Sequence, residues 1–183
     1  LASRLKYCGA YTVNGAPAFT NHIVHPGDEI RVCLDEPEPD YPAEDGALEI
    51  LFEDEALIAL EKPAGLLMHP SHTRNEGTLA NFLAGYYRQT GQRCAVHPVS
   101  RLDRDTFGVV LLAKNAYVHE LMRRQHAEGA IQKTYHAAVF GIPEAPEGLI
   151  DAPIARCEGD SLLRELRADG KPARSRYRVL ETR

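Results

Sequence analysis

The sequence predicts an α+β fold, because helices and strands mix along it without the regular alternation of a doubly wound sheet. Short apolar runs bounded by turn residues are typical of strands, and they occur at residues 48–52, 56–60, 108–113 and 133–140. Two further segments have the apolar spacing of amphipathic helices, residues 78–88 and 116–127.

The composition is that of an ordinary globular protein, with 44% hydrophobic and 26% charged residues. No apolar run approaches the roughly 18 residues of a membrane helix, and the N-terminus has no visible export signal. The four cysteines are dispersed without a Cys-x-x-Cys pair, which argues against a zinc ribbon and predicts reduced thiols in a cytoplasmic protein. The net charge of −5 is unusual for a nucleic-acid binder, but phosphates respond to local patches of charge.

The chain is predicted to have three parts: a small module at residues 1–34, a linker at residues 35–46 and a larger domain at residues 47–183. In the module, Asn14-Gly15 predicts a hairpin turn, and a Pro-Gly turn at residues 25–28 precedes an alternating strand at residues 29–34. The linker is acidic and carries three prolines, a composition that stays solvated and semi-extended.

Within the larger domain, the apolar face of the first helix is predicted to comprise Leu79, Phe82, Leu83 and Tyr86. The apolar, β-branched strand at residues 108–113 is expected to be buried on both faces. Asn115 can begin the second helix and Gly129 can end it. Residues 133–140 and the alternating tail at 175–180 are predicted as strands.

The segment from His97 to Gly108 has the highest density of reactive side chains. It brings two carboxylates, two guanidiniums and a hydroxyl within six residues, directly before a predicted strand. In an extended segment Asp103 and Asp105 would share one face. A carboxylate beside arginines stays ionised, and it can then attack an anomeric carbon or remove a ribose proton. A surface loop of ion pairs is the alternative for such a cluster.

Four motifs in order resemble one known family. Residues 101–108, Arg-Leu-Asp-x-x-Thr-x-Gly, resemble the catalytic motif of the RluA-type RNA pseudouridine synthases. The other matching segments are an upstream lysine-proline-glycine loop at 62–70, a lysine-x-tyrosine strand at 133–137 and a later glycine-lysine turn at 170–175. Residues 1–34 resemble the end of an S4-type RNA-binding module. The resemblance implies a mixed, largely antiparallel sheet with flanking helices.

The same resemblance implies roles for single residues. Asp103 matches the carboxylate that initiates cleavage of the uracil–ribose bond, by attack at C1′ or by removal of the 2′ proton. Arg101, or Arg104, matches the arginine that enters the RNA stack behind the extruded uridine, and Tyr135 matches a tyrosine that stacks on the flipped base and assists proton transfer at C5. Further residues are expected to contact RNA, namely Arg104, Lys62, Lys133 and Thr106.

No metal, nucleotide or redox cofactor is expected, because the isomerisation is redox-neutral and needs acid–base groups in a closed pocket. The expected partner is structured RNA, and the S4-like module favours ribosomal over transfer RNA. Two positions depart from the family pattern, Ser100 and Phe107, where histidine and serine are common. The family's later threonine-glycine-arginine-threonine-histidine-glutamine motif has no counterpart here, so the chain is expected to be a fragment of a longer enzyme.

Two other functions use the same residues. A non-catalytic RNA-binding protein would use the S4-like module to dock a hairpin. A glycoside hydrolase would use Asp103 with a second acid, Glu61 or Asp105, about 5–9 Å away. The absence of tryptophan, a frequent sugar platform, argues against the hydrolase.

Overall fold

The computed structural model describes residues 11–19, 21–32, 36, 39–71, 73–157, 159 and 163–182. In these ranges there are two helices, α1 (Leu79–Gln89) and α2 (Ala116–Ala127). The strands before α1 are β1 (Tyr11–Val13), β2 (Ala16–Ala18), β3 (Ile30–Val32), β4 (Glu49–Glu53) and β5 (Leu57–Lys62). The later strands are β6 (His97–Pro98), β7 (Gly108–Ala113), β8 (Glu147–Asp151), β9 (Ile154–Arg156), β10 (Arg164–Leu166) and β11 (Arg174–Arg178).

The predicted α+β class is confirmed, with helices and antiparallel sheets mixed along the chain. The chain divides into two compact units, Leu1–Lys133 and Thr134–Arg183. The domain limits 1–34, 35–46 and 47–183 stay predictions, since the division between the two units falls elsewhere. Neither helix of the described residues is long and apolar enough to cross a membrane.

The first unit is built on a four-stranded antiparallel sheet in the order β4-β5-β7-β6. Alternate residues of β5 and β7 point to one side of this sheet, where α1 packs against them. The core there consists of fully or almost fully buried side chains: Ile58, Leu60, Met68, Leu79, Leu83, Tyr87, Val110 and Leu112. All the predicted strands and helices that build this sheet and its cover are confirmed.

One prediction about burial in this core is wrong. Strand β7 buries one face only, since Val109 is 62% exposed while Val110 is fully buried. The predicted apolar face of α1 is confirmed, and Tyr86 packs against the core while its hydroxyl donates to Glu53 at 2.6 Å. The neighbouring Tyr87, which the sequence does not single out as a core residue, is buried more deeply, at 2% exposed.

The predicted N-terminal hairpin is confirmed. Asn14 and Gly15 have φ values of 52° and 79°, which is the conformation that a two-residue hairpin turn of type I′ requires. The Asn14 side chain then accepts from the Glu29 amide and donates to Asp28, which fastens the turn to the start of the strand pairing with β1. Residues 1–10, Cys33 and Leu34 of the predicted module lie outside the described residues, and its S4-like character stays a prediction.

The acidic stretch, predicted as a solvated linker, is bound to α1 in its later part. We call residues 39–46 the acidic strap. The Glu44 amide donates to Asn81 O at 3.0 Å, and the Glu44 carboxylate accepts from Gly77 N at 3.1 and 3.2 Å. Gly85 has to be glycine here, since a Cβ would overlap the Glu44 carbonyl. The prediction of a solvated linker is therefore wrong for this part, because its polar groups find partners at the start of a helix.

Asn81 joins the strap to the helix. Its buried Oδ1 accepts from the amide and the hydroxyl of Thr78, at 3.0 and 2.5 Å, and Thr78 in turn caps the helix start. Its Nδ2 donates to Pro42 O at 2.9 Å and to Asn75 O at 3.0 Å. One amide side chain thus satisfies buried groups of three segments.

The second unit contains two antiparallel strand pairs, β8 with β11 and β9 with β10. Strand β11 confirms most of the predicted strand at 175–180. The predicted strand at 133–140 is wrong, because no described residue pairs with it and its apolar side chains, including Phe140, are exposed. A strand needs a neighbouring ladder to satisfy its backbone, so β-propensity alone does not create one.

Replacing Asn81 with alanine should lower the free energy of unfolding by about 2–4 kcal/mol, because Thr78, Pro42 and Asn75 lose buried partners. The measurement is urea unfolding followed by circular dichroism. Gln89→Ala on the same helix is the control for an exposed bond to the strap, since the Gln89 side chain is exposed and donates to Asp45. Equal losses in the two variants would show that the buried bonds of Asn81 contribute no more than this exposed bond.

Candidate active site

The register of two strands brings the two predicted catalytic loops together. Strands β5 and β7 are antiparallel, and Lys62 at the end of β5 lies opposite Gly108 at the start of β7. The loop at 63–70 and the loop at 99–107 therefore leave the same end of the sheet. The Gly65 amide donates to the carbonyl of Arg104 at 2.8 Å, which closes the contact between them.

Lys62 holds both loops from below. It follows Ile58 and Leu60 on the core side of β5, and its side chain is fully buried. Its ammonium donates to the carbonyls of Pro63, Leu66 and Arg104 at 2.9, 2.8 and 2.9 Å. Burial lowers the pKa of this ammonium, and the negative charges of Asp105 and Asp103 oppose that shift.

A direct contact between Lys62 and RNA, which the resemblance implies, does not fit these three hydrogen bonds. An ammonium that uses its three protons on three carbonyls has none left for a phosphate. Because it satisfies carbonyls of both loops, Lys62 is a positioning residue. The sequence alone does not predict this role. Lysine side chains are almost never fully buried, so a lysine at the end of a strand is expected to be exposed.

Asp103 begins a tight turn. The Thr106 amide donates to the Asp103 carbonyl at 3.2 Å, with Arg104 and Asp105 at the centre of the turn. Aspartate is favoured at this first position. The prediction that Asp103 and Asp105 share a face of an extended segment is therefore wrong. The Asp103 side chain is exposed, and no described residue forms a hydrogen bond with its carboxylate.

The structure separates the two candidate arginines. Arg104 forms a two-pronged pair with Asp105, with both N–O distances at 3.1 Å. This pair lowers the pKa of the Asp105 carboxyl. Arg101 is exposed and makes no hydrogen bond or ion pair with a described residue. Of the two guanidiniums beside Asp103, Arg101 is thus the one available to a ligand.

His69, on the first loop, faces the same region. Its half-buried ring meets Tyr41 of the acidic strap edge to face, with the ring centres 6.4 Å apart. Burial lowers the pKa of His69, and the nearby charges of Arg101 and His97 lower it further. A neutral imidazole is therefore favoured beside Arg101 at neutral pH. The sequence places His69 in the lysine-proline-glycine loop at 62–70 but does not predict that its ring faces Arg101.

A second acidic residue from the stretch 35–46 binds the start of α2, near the end of β7 that is opposite to the Asp103 loop. Glu36 accepts from the first amide of α2, Ala116 N, at 2.6 Å, and lies 3.2 Å from Nε2 of His97 on β6. The His97 ring stacks on His119 of α2, with the ring centres 5.4 Å apart. A carboxylate at the start of a helix is stabilised by the exposed amides and the helix dipole. Helix starts are visible in a sequence, but a partner 80 residues away is not.

Of the three remaining predicted site residues, two lie later in the chain and Thr106 lies in the turn of Asp103. Lys133 is exposed and ends the first unit, and Tyr135 is 57% exposed and belongs to the second unit. Thr106 is half-buried and closes the turn of Asp103 through its amide. The first unit thus brings together Asp103, Arg101, Arg104, Thr106 and Lys62.

This arrangement combines a solvent-accessible carboxylate, a free guanidinium and a fixed backbone. The carboxylate can act as a nucleophile or a base towards a group that approaches the turn. The guanidinium can bind a phosphate or stack on a base. The buried ammonium of Lys62 fixes the backbone of the Asp103 turn through the Arg104 carbonyl.

The profile of the RNA pseudouridylate synthase family matches residues 56–183, which is more than half of the chain and includes both loops. The curated relatives carry the same activity in their names. An uncharacterized RNA pseudouridine synthase of Bacillus subtilis, YhcT, is 34% identical over 173 residues, covering 92% of this chain and 56% of the relative. The ribosomal large subunit pseudouridine synthase D of Nitrosomonas europaea is 38% identical over 172 residues, covering 93% of this chain and 50% of the relative.

The chain thus spans about half the length of these curated relatives. Among solved structures, human RNA pseudouridylate synthase domain containing 4 is similar in fold, with a TM-score of 0.53 and 22% identity over 74% of this chain and 54% of that one. Sequence match and fold agree with the motifs around Asp103. The chain belongs to the RNA pseudouridylate synthase family.

Proposed function

We propose that the protein isomerises uridine to pseudouridine in structured RNA, with Asp103 as its catalytic carboxylate. The observation that carries this proposal is the exposed Asp103 on a turn whose backbone is fixed by the buried Lys62. Family membership supplies the reaction class. A non-catalytic RNA-binding role is the second candidate, since the free guanidinium of Arg101 can bind a phosphate without any reaction at Asp103.

The reaction breaks the bond between uracil N1 and ribose C1′ and forms a bond between C5 and C1′. Asp103 starts this exchange by attacking C1′ or by taking the 2′ proton. The freed uracil rotates to present C5, and the bond from C5 to C1′ forms as the bond between Asp103 and C1′ breaks or, on the other route, before the 2′ proton returns to the ribose. The C5 proton then leaves to water and N1 takes up a proton, so product and substrate have the same composition and the reaction is redox-neutral.

A uracil cannot rotate while it is stacked in a helix, so the uridine has to leave the stack. We assign Arg101 to the vacated space or to a neighbouring phosphate, because Arg104 is already paired with Asp105. Arg104 and Lys133 remain candidates for RNA contact, and Thr106 for shaping the turn. Lys62 acts through the loops that it positions.

Tyr135 is assigned to stack on the flipped base and to assist proton transfer at C5. Its side chain is exposed, as a platform for a base has to be. Ribosomal RNA is the proposed substrate class, because relatives named ribosomal large subunit pseudouridine synthase D match the chain. We also propose that residues 1–34 belong to an S4-like RNA-binding module and that the protein is cytoplasmic.

Changing Asp103 to Asn should abolish turnover while leaving RNA affinity intact, because the amide keeps the shape of the carboxylate but is neither a nucleophile nor a base. The measurement is tritium release from RNA labelled at uridine C5, with binding followed in parallel by fluorescence anisotropy. Asp105→Asn is the matched control and should retain activity. Full tritium release by Asp103→Asn would disprove the assignment.

Changing Lys62 to Met should lower kcat by about 100-fold, because a displaced catalytic loop loses the orientation on which the rate depends. The Michaelis constant should change less than kcat. Lys114→Met is the control, since Lys114 is also buried but bonds Glu53 and Gln92 near the opposite end of β5 and β7. Both variants should be less stable, and only Lys62→Met should lose turnover per folded molecule. Equal loss of turnover in both would reduce Lys62 to a general stability residue.

Changing Tyr135 to Phe should preserve stacking and RNA affinity but slow turnover by about 100-fold or more, the usual contribution of a proton-transferring group. Single-turnover rates at saturating RNA are the measurement. Tyr117→Phe, an exposed tyrosine on α2, is the control. An unchanged single-turnover rate for Tyr135→Phe would leave Tyr135 with a stacking role alone.

A further inference from the structure

Strand β11 carries three arginines on one face. Arg174, Arg176 and Arg178 alternate with Ser175 and Tyr177, so the arginines share a side of the strand pair that β11 forms with β8. The opposite side is covered by the Tyr177 ring, which lies so close to Gly148 that no Cβ would fit there. We call the side with the three arginines the arginine face.

The arginines of this face differ in what they contact. Arg174 is bound to Asp151, with Nε and a terminal nitrogen 2.9 and 2.6 Å from one carboxylate oxygen. Arg176 lies opposite Leu149 and Arg178 opposite Glu147 in the strand register. Neither Arg176 nor Arg178 forms an ion pair within 4.0 Å with a described residue, and both are exposed.

The charge of this strand is concentrated locally. Residues 171–180 contain four cations and no carboxylate, although the whole chain has a net charge of −5. Successive arginines on one face of a strand are about 7 Å apart. Among the described residues β11 pairs with β8 alone, so its other edge is open as well. Unpaired guanidiniums at this spacing concentrate positive potential along one strand.

We propose that the arginine face binds the sugar–phosphate backbone of the RNA substrate through Arg176 and Arg178. Each guanidinium can form a two-pronged contact with one phosphate, and neighbouring arginines can follow consecutive nucleotides. A protein partner is disfavoured, because the centre of a protein interface needs aromatic or aliphatic anchors and this face offers Leu149 alone. The inference rests on the proposed function, since it takes RNA as the ligand.

The test compares two double variants of the chain of residues 1–183 that remove the same charge. Arg176→Gln/Arg178→Gln removes the two unpaired arginines. Arg123→Gln/Arg124→Gln removes two arginines of α2 that are both bound to Glu120. The probe is a fluorescein-labelled RNA stem-loop with a uridine in its loop. Its Kd is measured from 50 to 300 mM KCl, because the slope of log Kd against log salt is proportional to the number of phosphate contacts.

The β11 variant should bind more weakly, and its plot of log Kd against log salt should be less steep by about 1.4–1.8, because each lost phosphate contact contributes 0.7–0.9. The α2 variant should keep the wild-type slope. Arg176→Lys/Arg178→Lys should recover most of the slope, since lysine keeps the charge. Equal slopes for the β11 and α2 variants would overturn the proposal.

Tritium release separates this outcome from the proposed reaction. Tritium release by the wild-type protein, together with equal salt slopes for the two variants, would disprove RNA binding by the arginine face and support the isomerase activity. A changed slope for the β11 variant without any tritium release would support RNA binding by the arginine face and contradict the isomerase activity. Thermal unfolding of the β11 variant should match the wild type, because both replaced side chains are exposed.

Discussion

The candidate site depends on one buried positive charge. Removing an ammonium from water costs several kcal/mol unless its protons find acceptors. Lys62 meets this requirement with three carbonyls, two from the loop at 63–70 and one from the loop that carries Asp103. The loops therefore cannot separate without leaving the charge unsatisfied. The hydrogen bonds that the buried Lys62 ammonium requires therefore also fix the backbone of the turn that presents the Asp103 carboxylate.

Two carboxylates of the acidic stretch also satisfy polar groups that would otherwise lack partners, in this case backbone amides near the starts of the two helices. Glu44 accepts from Gly77 just before α1, and Glu36 accepts from the first amide of α2. Helix starts leave amides without partners inside the helix, and a carboxylate satisfies them and interacts favourably with the dipole. Asn81 then closes the strap against α1. A segment with the composition of a linker thus becomes part of the first unit.

Local pattern predicted the parts of the fold that depend on local physics. The Asn14-Gly15 turn, the Asn115 cap, both helices and the strands β4, β5 and β7 follow from spacing and turn chemistry. The failures share a different cause. The stretch 133–140 has the residues of a strand but no described partner, and the site of Lys62 is defined by a carbonyl 42 residues away. Asp103 is recognised from its motif in the sequence, whereas the turn that presents it is seen only in the structure.

The distribution of charge reconciles an acidic chain with the RNA ligand that we propose. Six of the 26 acidic residues lie in residues 35–46, which contain no lysine or arginine, so the rest of the chain has 21 cations against 20 carboxylates. Glu36 binds the first amide of α2, and Glu44 binds the amide of Gly77 just before α1. Unpaired cations among the described residues include Arg101 beside Asp103 and Arg176 and Arg178 of β11. Because screening limits an exposed charge to about 8–10 Å, an incoming phosphate responds to these guanidiniums and not to the total of −5.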